Sequence, residues 1–354
     1  MTGSRVLFLH TTLSLSGATA RLLRMAKLLS EAGTRVTVLS EPGSRSDAFR
    51  DADIEVLPAE LPLRPIAQPF AALRTRRLVT ELEPSVLHVT SERLAPLAAF
   101  LARPYVLEVQ REVREQLPYH PTALRAVIVP AETLLESAVN RGRLPRDRVR
   151  VIGHGPKPPE DIARAGFVAG EPIRVGCAGR LDGEHATGVF LDAARRLALS
   201  GTPYLFFVFG EGPLEERLRR QVRELAIADC ATITAPAAPT TAELLARLDI
   251  YVSCVQDGAP GWFAHEALLL GVPSIFSAAR GSLSLILDGE SGILVERGNP
   301  AKLAAAIEGL AANPLAAREM GLRGRQLQVA ARPADRFDEG LNALYEEFVG
   351  SVPV

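Results

Sequence analysis

Short apolar runs alternate with amphipathic stretches along most of the chain. RVLFLH (5–10) reads as a buried strand. A polar loop, TTLSLSG (11–17), follows it, and then Leu22, Met25, Ala26 and Leu29 recur at helical spacing. Gly33 closes that helix, and RVTVLS (35–40) predicts the next strand. Further strands are predicted over 54–58, 85–90, 105–109, 125–130 and 148–153. Helical stretches separate most of them, so the pattern predicts a parallel sheet covered on both faces.

The segment 154–172 interrupts this rhythm with four prolines and three glycines and reads as a linker. The alternation then restarts, with strands predicted over 173–179, 204–210, 231–235, 249–254, 273–277 and 292–295. A last helix over 333–348 carries Phe337, Leu341, Leu344, Tyr345 and Phe348 on one side and needs a surface to bury them. The expected architecture is α/β, with two doubly wound, Rossmann-like domains facing across a cleft. The expected boundaries are 1–160 and 161–330, with residues 331–354 forming a helix that crosses back onto the first domain. Folds of this kind bind ligands outside the carboxyl ends of their strands.

Composition narrows the class. Of 354 residues, 47% are hydrophobic and 23% charged, the balance of a soluble globular protein. No apolar run approaches the roughly 20 residues that cross a bilayer. The opening MTGSRVLFLHTT lacks the apolar core of a signal peptide. Cys177, Cys230 and Cys254 lie far apart in no metal-ligand spacing, which predicts a reduced, cytoplasmic chain. Residues 1–165 hold 23 Lys and Arg against 18 Asp and Glu, while the rest hold 17 against 23. That basic first half is too weak to predict nucleic acid, and LRTRRL (73–78) reads as a solvated helix face. Lysine is rare: only Lys27, Lys157 and Lys302 occur.

Several common motifs are absent. Gly210-Glu211-Gly212-Pro213 falls short of a dinucleotide fingerprint, and no phosphate-binding Walker loop occurs. Asp51-Ala52-Asp53 reads as a surface turn rather than a metal site. The six histidines show no zinc spacing, and no serine sits in a nucleophile elbow. What remains is a set of strand-to-helix loops that carry glycine, most of them beside a charge: 16–19, 179–181, 210–213 and 257–262. Glycine lets backbone approach a ligand, helix N-termini offer free N–H groups, and arginine pairs with phosphate. Together these loops point to a phosphorylated ligand.

Four segments of the second half resemble the retaining GT-B glycosyltransferases of family four: VGCAGRL (175–181), FVFGEGPLEERL (207–218), DIYVSCVQDGAPGWFAHEALLLGVPSIFS (249–277) and RGSLSLILDGESGILV (280–295). In the first half, the opening strand, the loop with Gly17 and its helix match the family's acceptor-side opening. The resemblance implies transfer of a sugar from a UDP- or GDP-sugar to a small-molecule acceptor, with retention and without a metal or other cofactor. The first domain would hold the acceptor and the second the nucleotide sugar. Arg180 would hold the diphosphate, Glu266 the ribose hydroxyls, and backbone around Gly261, Trp262 and Phe263 the phosphate and sugar. Gly17 would let the first loop approach the diphosphate.

The sequence departs from that family at the expected site. His185 stands at the usual lysine position and would take its catalytic and donor-binding place. The family's first acidic position is Gly258, with Asp257 one residue further out. Ser284 replaces the acid expected before Asp288-Gly289, and a strand-end Asn-Gly-Val-Asp reads His154-Gly155-Pro156-Lys157. Lys157 is expected either to hold an anionic acceptor, with His154 beside it, or to be a solvated linker charge. His88, at a strand end, is expected either to face the acceptor or to be a hydrogen-bonded core residue. The alternative to catalysis is a glycosyltransferase-like protein that binds a nucleotide sugar or a partner without transfer. A homodimer is left open.

Overall fold

The structure, a computed structural model, describes residues 5–158, 162, 166–183, 186–235, 240–255, 260–279, 281–331 and 333–349. The chain divides into two compact units. One comprises residues 1–14, 18–155 and 335–354, the other 15–17 and 156–334.

The first unit contains β1 (Arg5–Thr12), α1 (Gly17–Glu31), β2 (Arg35–Glu41), α2 (Ser46–Arg50), β3 (Glu55–Pro58), α3 (Pro69–Leu82), β4 (Val86–Val89), α4 (Ala95–Leu101), β5 (Tyr105–Glu108), β6 (Leu124–Val129), α5 (Glu132–Asn140) and β7 (Val149–Val151). Among the described residues its sheet has seven strands in the order β3-β2-β1-β4-β5-β6-β7, paired in parallel. Both faces are covered, so the strands are mostly apolar, with Thr37, His88 and Arg125 among the exceptions. Leu7, Leu9, Leu87 and Val89 enter one core, whereas Val6, Phe8, Val86 and Val106 enter the other. α1 buries Leu22, Met25, Ala26 and Leu29 as its spacing predicts, and Arg21 with them.

The second unit contains β8 (Ile173–Ala178), α6 (Thr187–Ala198), β9 (Tyr204–Phe209), α7 (Glu215–Glu224), β10 (Ala231–Thr234), α8 (Thr241–Ala246), β11 (Ile250–Ser253), α9 (Trp262–Leu269), β12 (Ser274–Ser277), β13 (Ile293–Val295), α10 (Pro300–Ala312) and α11 (Pro314–Ala330). Among the described residues it has six parallel strands in the order β10-β9-β8-β11-β12-β13. Val175, Phe190, Phe206, Ile250 and Ile275 form the centre of its core. Asn299 and Asn313 cap α10 and α11, each followed by a proline whose missing N–H costs nothing at a helix start.

The last helix, α12 (Pro333–Val349), returns to the first unit from Asp335 onward. Phe337, Leu341, Leu344 and Tyr345 join the core formed by Val6 and Phe8. Phe337 lies against Gly155 so closely that a Cβ there would overlap its ring. The two-domain, doubly wound α/β expectation holds, and each predicted strand is present. β7 is shorter than the pattern suggested, ending at Val151 rather than at 153.

Candidate functional site

In each sheet the strand order reverses beside the first strand, and ligands gather outside the carboxyl ends of the two strands flanking such a reversal. In the second unit those strands are β8 and β11. The turn after β8, Gly179-Arg180-Leu181, is joined to the turn after β9. Leu181 N–H donates to Glu211 O and Leu214 N–H to Leu181 O, each at 3.0 Å. Glycine is required at 210 and 212, because a Cβ at either would run into the backbone of Gly179 or Leu181. The Gly-Arg-Leu and Gly-Glu-Gly-Pro segments therefore form one unit of backbone that presents Arg180.

The Arg180 side chain is 33% exposed, with Nε 3.6 Å from Asp182 Oδ2. After β11 the chain reaches Gly261, whose extended backbone leads into α9 and whose missing Cβ would meet only open space. Trp262 and Phe263 are buried in the first turn of α9. One turn later Glu266 is also buried, and its Oε2 accepts a 2.6 Å hydrogen bond from Thr241 Oγ1. Residues 15–17 belong to this unit as well. Leu15 N–H donates to Glu211 Oε2 at 2.8 Å, and a Cβ on Gly17 would come within 2.9 Å of Trp262 Cβ. Gly17 thus permits a close approach of backbone to the start of α9. His185, Asp257 and Gly258 lie outside the described residues.

The thiols nearby are inert. Burial pushes Cys254 up to about 12 and Cys177 well above its ordinary value, so neither supplies a thiolate near neutral pH. His265, half-buried on α9 with Nδ1 3.0 Å from Gln328 Oε1, is held below the usual imidazole range by desolvation. Among the described residues no group of three or more His, Cys, Asp or Glu has a metal-binding arrangement.

In the first unit the equivalent strands are β1 and β4. His10 Nδ1 lies 2.7 Å from Thr90 Oγ1, and its Nε2 3.1 Å from Thr19 Oγ1. Thr90 Oγ1 itself donates to Leu9 O, so Nδ1 carries the proton given to Thr90 and Nε2 accepts from Thr19. Of the two readings of His88, the structure corrects the acceptor-facing one in favour of the hydrogen-bonded core residue. It is fully buried, its Nδ1 is 2.6 Å from the Tyr345 hydroxyl, and its Nε2 is 3.6 Å from Glu108. Glu108 in turn pairs with buried Arg21 at 2.9 Å. Burial alone would raise the Glu108 pKa, but Arg21 and His88 outweigh it and hold the carboxyl at about 2. His154 is half-buried, and Lys157 is exposed beyond it.

Two features escape the sequence pattern. Thr241, the partner of Glu266, sits behind Thr240, which caps α8 by accepting from Glu243 N–H. A Thr-Thr pair before an apolar run signals the cap alone. His10 ends an apolar strand, and only the fold brings Thr19 and Thr90 to its two nitrogens.

With this geometry in view, two family models match the chain: "Glycosyl transferase 4-like domain" over residues 16–155 and "Glycosyl transferases group 1" over 172–313. A 2-deoxystreptamine N-acetyl-D-glucosaminyltransferase of Streptomyces fradiae is 32% identical over 154 residues, covering 42% of this chain and 36% of that protein. A D-inositol 3-phosphate glycosyltransferase of Acidothermus cellulolyticus is 29% identical over 225 residues, covering 57% and 48%. The chain thus spans less than half the length of these relatives. Anabaena Alr3699/HepE, solved in complex with UDP-glucose, shares the fold at a TM-score of 0.77 and 14% identity, covering 97% of this chain and 99% of that one.

Proposed function

The chain belongs to the group 1 glycosyl transferases, and we propose that it moves a hexosyl group from a UDP- or GDP-sugar to a small-molecule acceptor, retaining the anomeric configuration without a metal. One observation carries this reading: Arg180 and the Gly261–Glu266 helix start follow β8 and β11, the strands that flank the reversal of the second sheet. Arg180 pairs with the diphosphate, the N–H groups of Gly261, Trp262 and Phe263 meet phosphate and sugar, and Glu266, oriented by Thr241, accepts from the ribose hydroxyls. His185 is proposed in the role of the family's lysine, and Asp257 and Gly258 as further donor-binding residues.

In the transfer, the bond between the anomeric carbon and the diphosphate oxygen breaks, and a bond to the acceptor oxygen forms on the same face. The acceptor proton passes to the departing diphosphate, whose charge Arg180 and the α9 N-terminus stabilise. No protein nucleophile is needed. The names of the two relatives carry 2-deoxystreptamine and D-inositol 3-phosphate, which supports a small-molecule acceptor. His154 and Lys157 are the residues proposed to meet it, and the first unit to supply its binding surface.

A thermal-shift panel of UDP, GDP, ADP and dTDP tests the donor. A nucleotide at about 100 times its Kd adds roughly 2.7 kcal/mol to stability, a shift of a few degrees. A response to UDP or GDP that disappears in Arg180→Ala supports the reading; silence from all four overturns it.

A further inference from the structure

Trp262 is the only tryptophan of the chain. It opens α9 and is 5% exposed, yet among the described residues it belongs to none of the three apolar cores. Its indole Nε1–H is buried, and among the described residues it meets no acceptor. Buried polar groups are paired in roughly nine cases in ten, and a buried indole N–H usually finds an oxygen. Leucine or phenylalanine would fill the same space without leaving a donor unmet, which weakens a fold. The free chain therefore carries a hydrogen-bond donor at the start of α9 that its own residues leave unused.

Its place on the helix narrows what can meet it. Trp262 and Glu266 are four residues apart, so they share a face of α9 and stand about 6 Å apart along its axis. Glu266, oriented by Thr241, is the residue proposed to hold the ribose, and the backbone N–H groups at the helix start are proposed to hold the diphosphate. Helical side chains lean towards the N-terminus of their helix. The indole therefore reaches past those N–H groups, away from the ribose. Residues 15–17 of the same unit lie against it, where a Cβ on Gly17 would come within 2.9 Å of Trp262 Cβ and 3.4 Å of its backbone N. In a nucleotide sugar the group beyond the diphosphate is the hexosyl ring, which is rich in oxygen acceptors.

Resting on the donor reading above, we propose that the Trp262 indole N–H donates a hydrogen bond to a hydroxyl oxygen of the transferred hexosyl group. The side chain then reads the sugar, while Glu266 and the helix start read the nucleotide. Loop 15–17, packed on Trp262, keeps water away from that hydrogen bond and so strengthens it.

With a single indole, the whole protein gives one indole N–H cross-peak in a proton–nitrogen NMR spectrum. A hydrogen bond deshields the proton, so UDP-glucose, UDP-N-acetylglucosamine or GDP-mannose should move the peak downfield well beyond the shift caused by UDP or GDP. Trp262→Phe keeps an aromatic ring and removes the donor. The factor by which the sugar tightens binding over the bare nucleotide, measured by titration calorimetry, should shrink about fivefold to tenfold in this variant. Both affinities come from one protein, so a general weakening of the site cancels. A factor unchanged by Trp262→Phe overturns the proposal, as does a peak that moves as far with the bare nucleotide as with its sugar. If no nucleotide or nucleotide sugar binds the wild type at all, the donor reading itself falls, and this inference with it.

Discussion

Tyr345 and His88 stand 257 positions apart in sequence, and the Tyr345 hydroxyl lies 2.6 Å from His88 Nδ1. Burial pushes the Tyr345 hydroxyl well above its ordinary pKa, so it faces the imidazole as a neutral phenol. α12 is therefore held to the first sheet by polar contacts as well as by packing. Arg24 reaches both Asp338 oxygens at 2.7 and 2.8 Å, and the Arg21 guanidinium sits 4.9 Å above the Phe337 ring.

Tyr345→Phe keeps the ring and removes the hydroxyl, leaving His88 Nδ1 without that partner in a dry site. The expected loss is about 1–3 kcal/mol. Urea denaturation followed through the first unit reads it, and a change near zero would show that the contact is energetically idle.

Glu108 gives stability a defined pH dependence. Its folded pKa of about 2 lies below the 4.5 of the free group, so its contribution is complete above about pH 5. It is lost as pH falls from there towards 2, and the amount at stake is on the order of 3 kcal/mol. Glu108→Gln should remove much of this acid sensitivity. It should also lower stability at neutral pH by about 3–5 kcal/mol, because Arg21 is left charged and buried. Melting curves at a series of pH values separate the two effects.

Gly155 and Gly309 make opposite predictions for the same substitution. A Cβ at Gly155 overlaps Phe337, so Gly155→Ala should loosen α12, cost about 1–3 kcal/mol and expose residues 333–349 to protease. A Cβ at Gly309, on the exposed side of α10, meets nothing. There alanine should stabilise by about 0.5–1 kcal/mol.

For the proposed chemistry, Arg180→Ala should lower the transfer rate by roughly 10²–10³ while the fold stays intact. Thr241→Val takes the 2.6 Å hydrogen bond from Glu266 and should weaken nucleotide binding about tenfold. Isothermal titration with the responding nucleotide measures the second, and product formation the first.

The strands were legible because most are short, predominantly apolar runs between turn residues, the pattern that a parallel sheet covered on both faces favours. The final helix was legible from Phe337, Leu341, Leu344 and Tyr345 at helical spacing. Arg21 was not. In a chain this rich in arginine its position between apolar residues of α1 looks like a solvated face, and its partner is 87 residues away. The visible hint is Glu108 itself, an acid closing the apolar strand YVLE. His88 likewise carries no local sign of its tyrosine partner. The glycines at 210 and 212 could be read as a turn, but their close approach to Gly179 and Leu181 needs two strands side by side.

The split course of the first unit bears on how the protein is made. The ribosome delivers residues 18–155 early, yet their core remains open on one side until Phe337, Leu341 and Tyr345 have been synthesised. At about 5–20 residues per second, the intervening 156–334 delay that closure by on the order of 10–40 s. During that interval the nascent chain carries an uncovered apolar groove beside Val6 and Phe8, while the segment that follows is already able to collapse on its own. Translation halted just before α12 would release a product that still lacks one wall of its first domain.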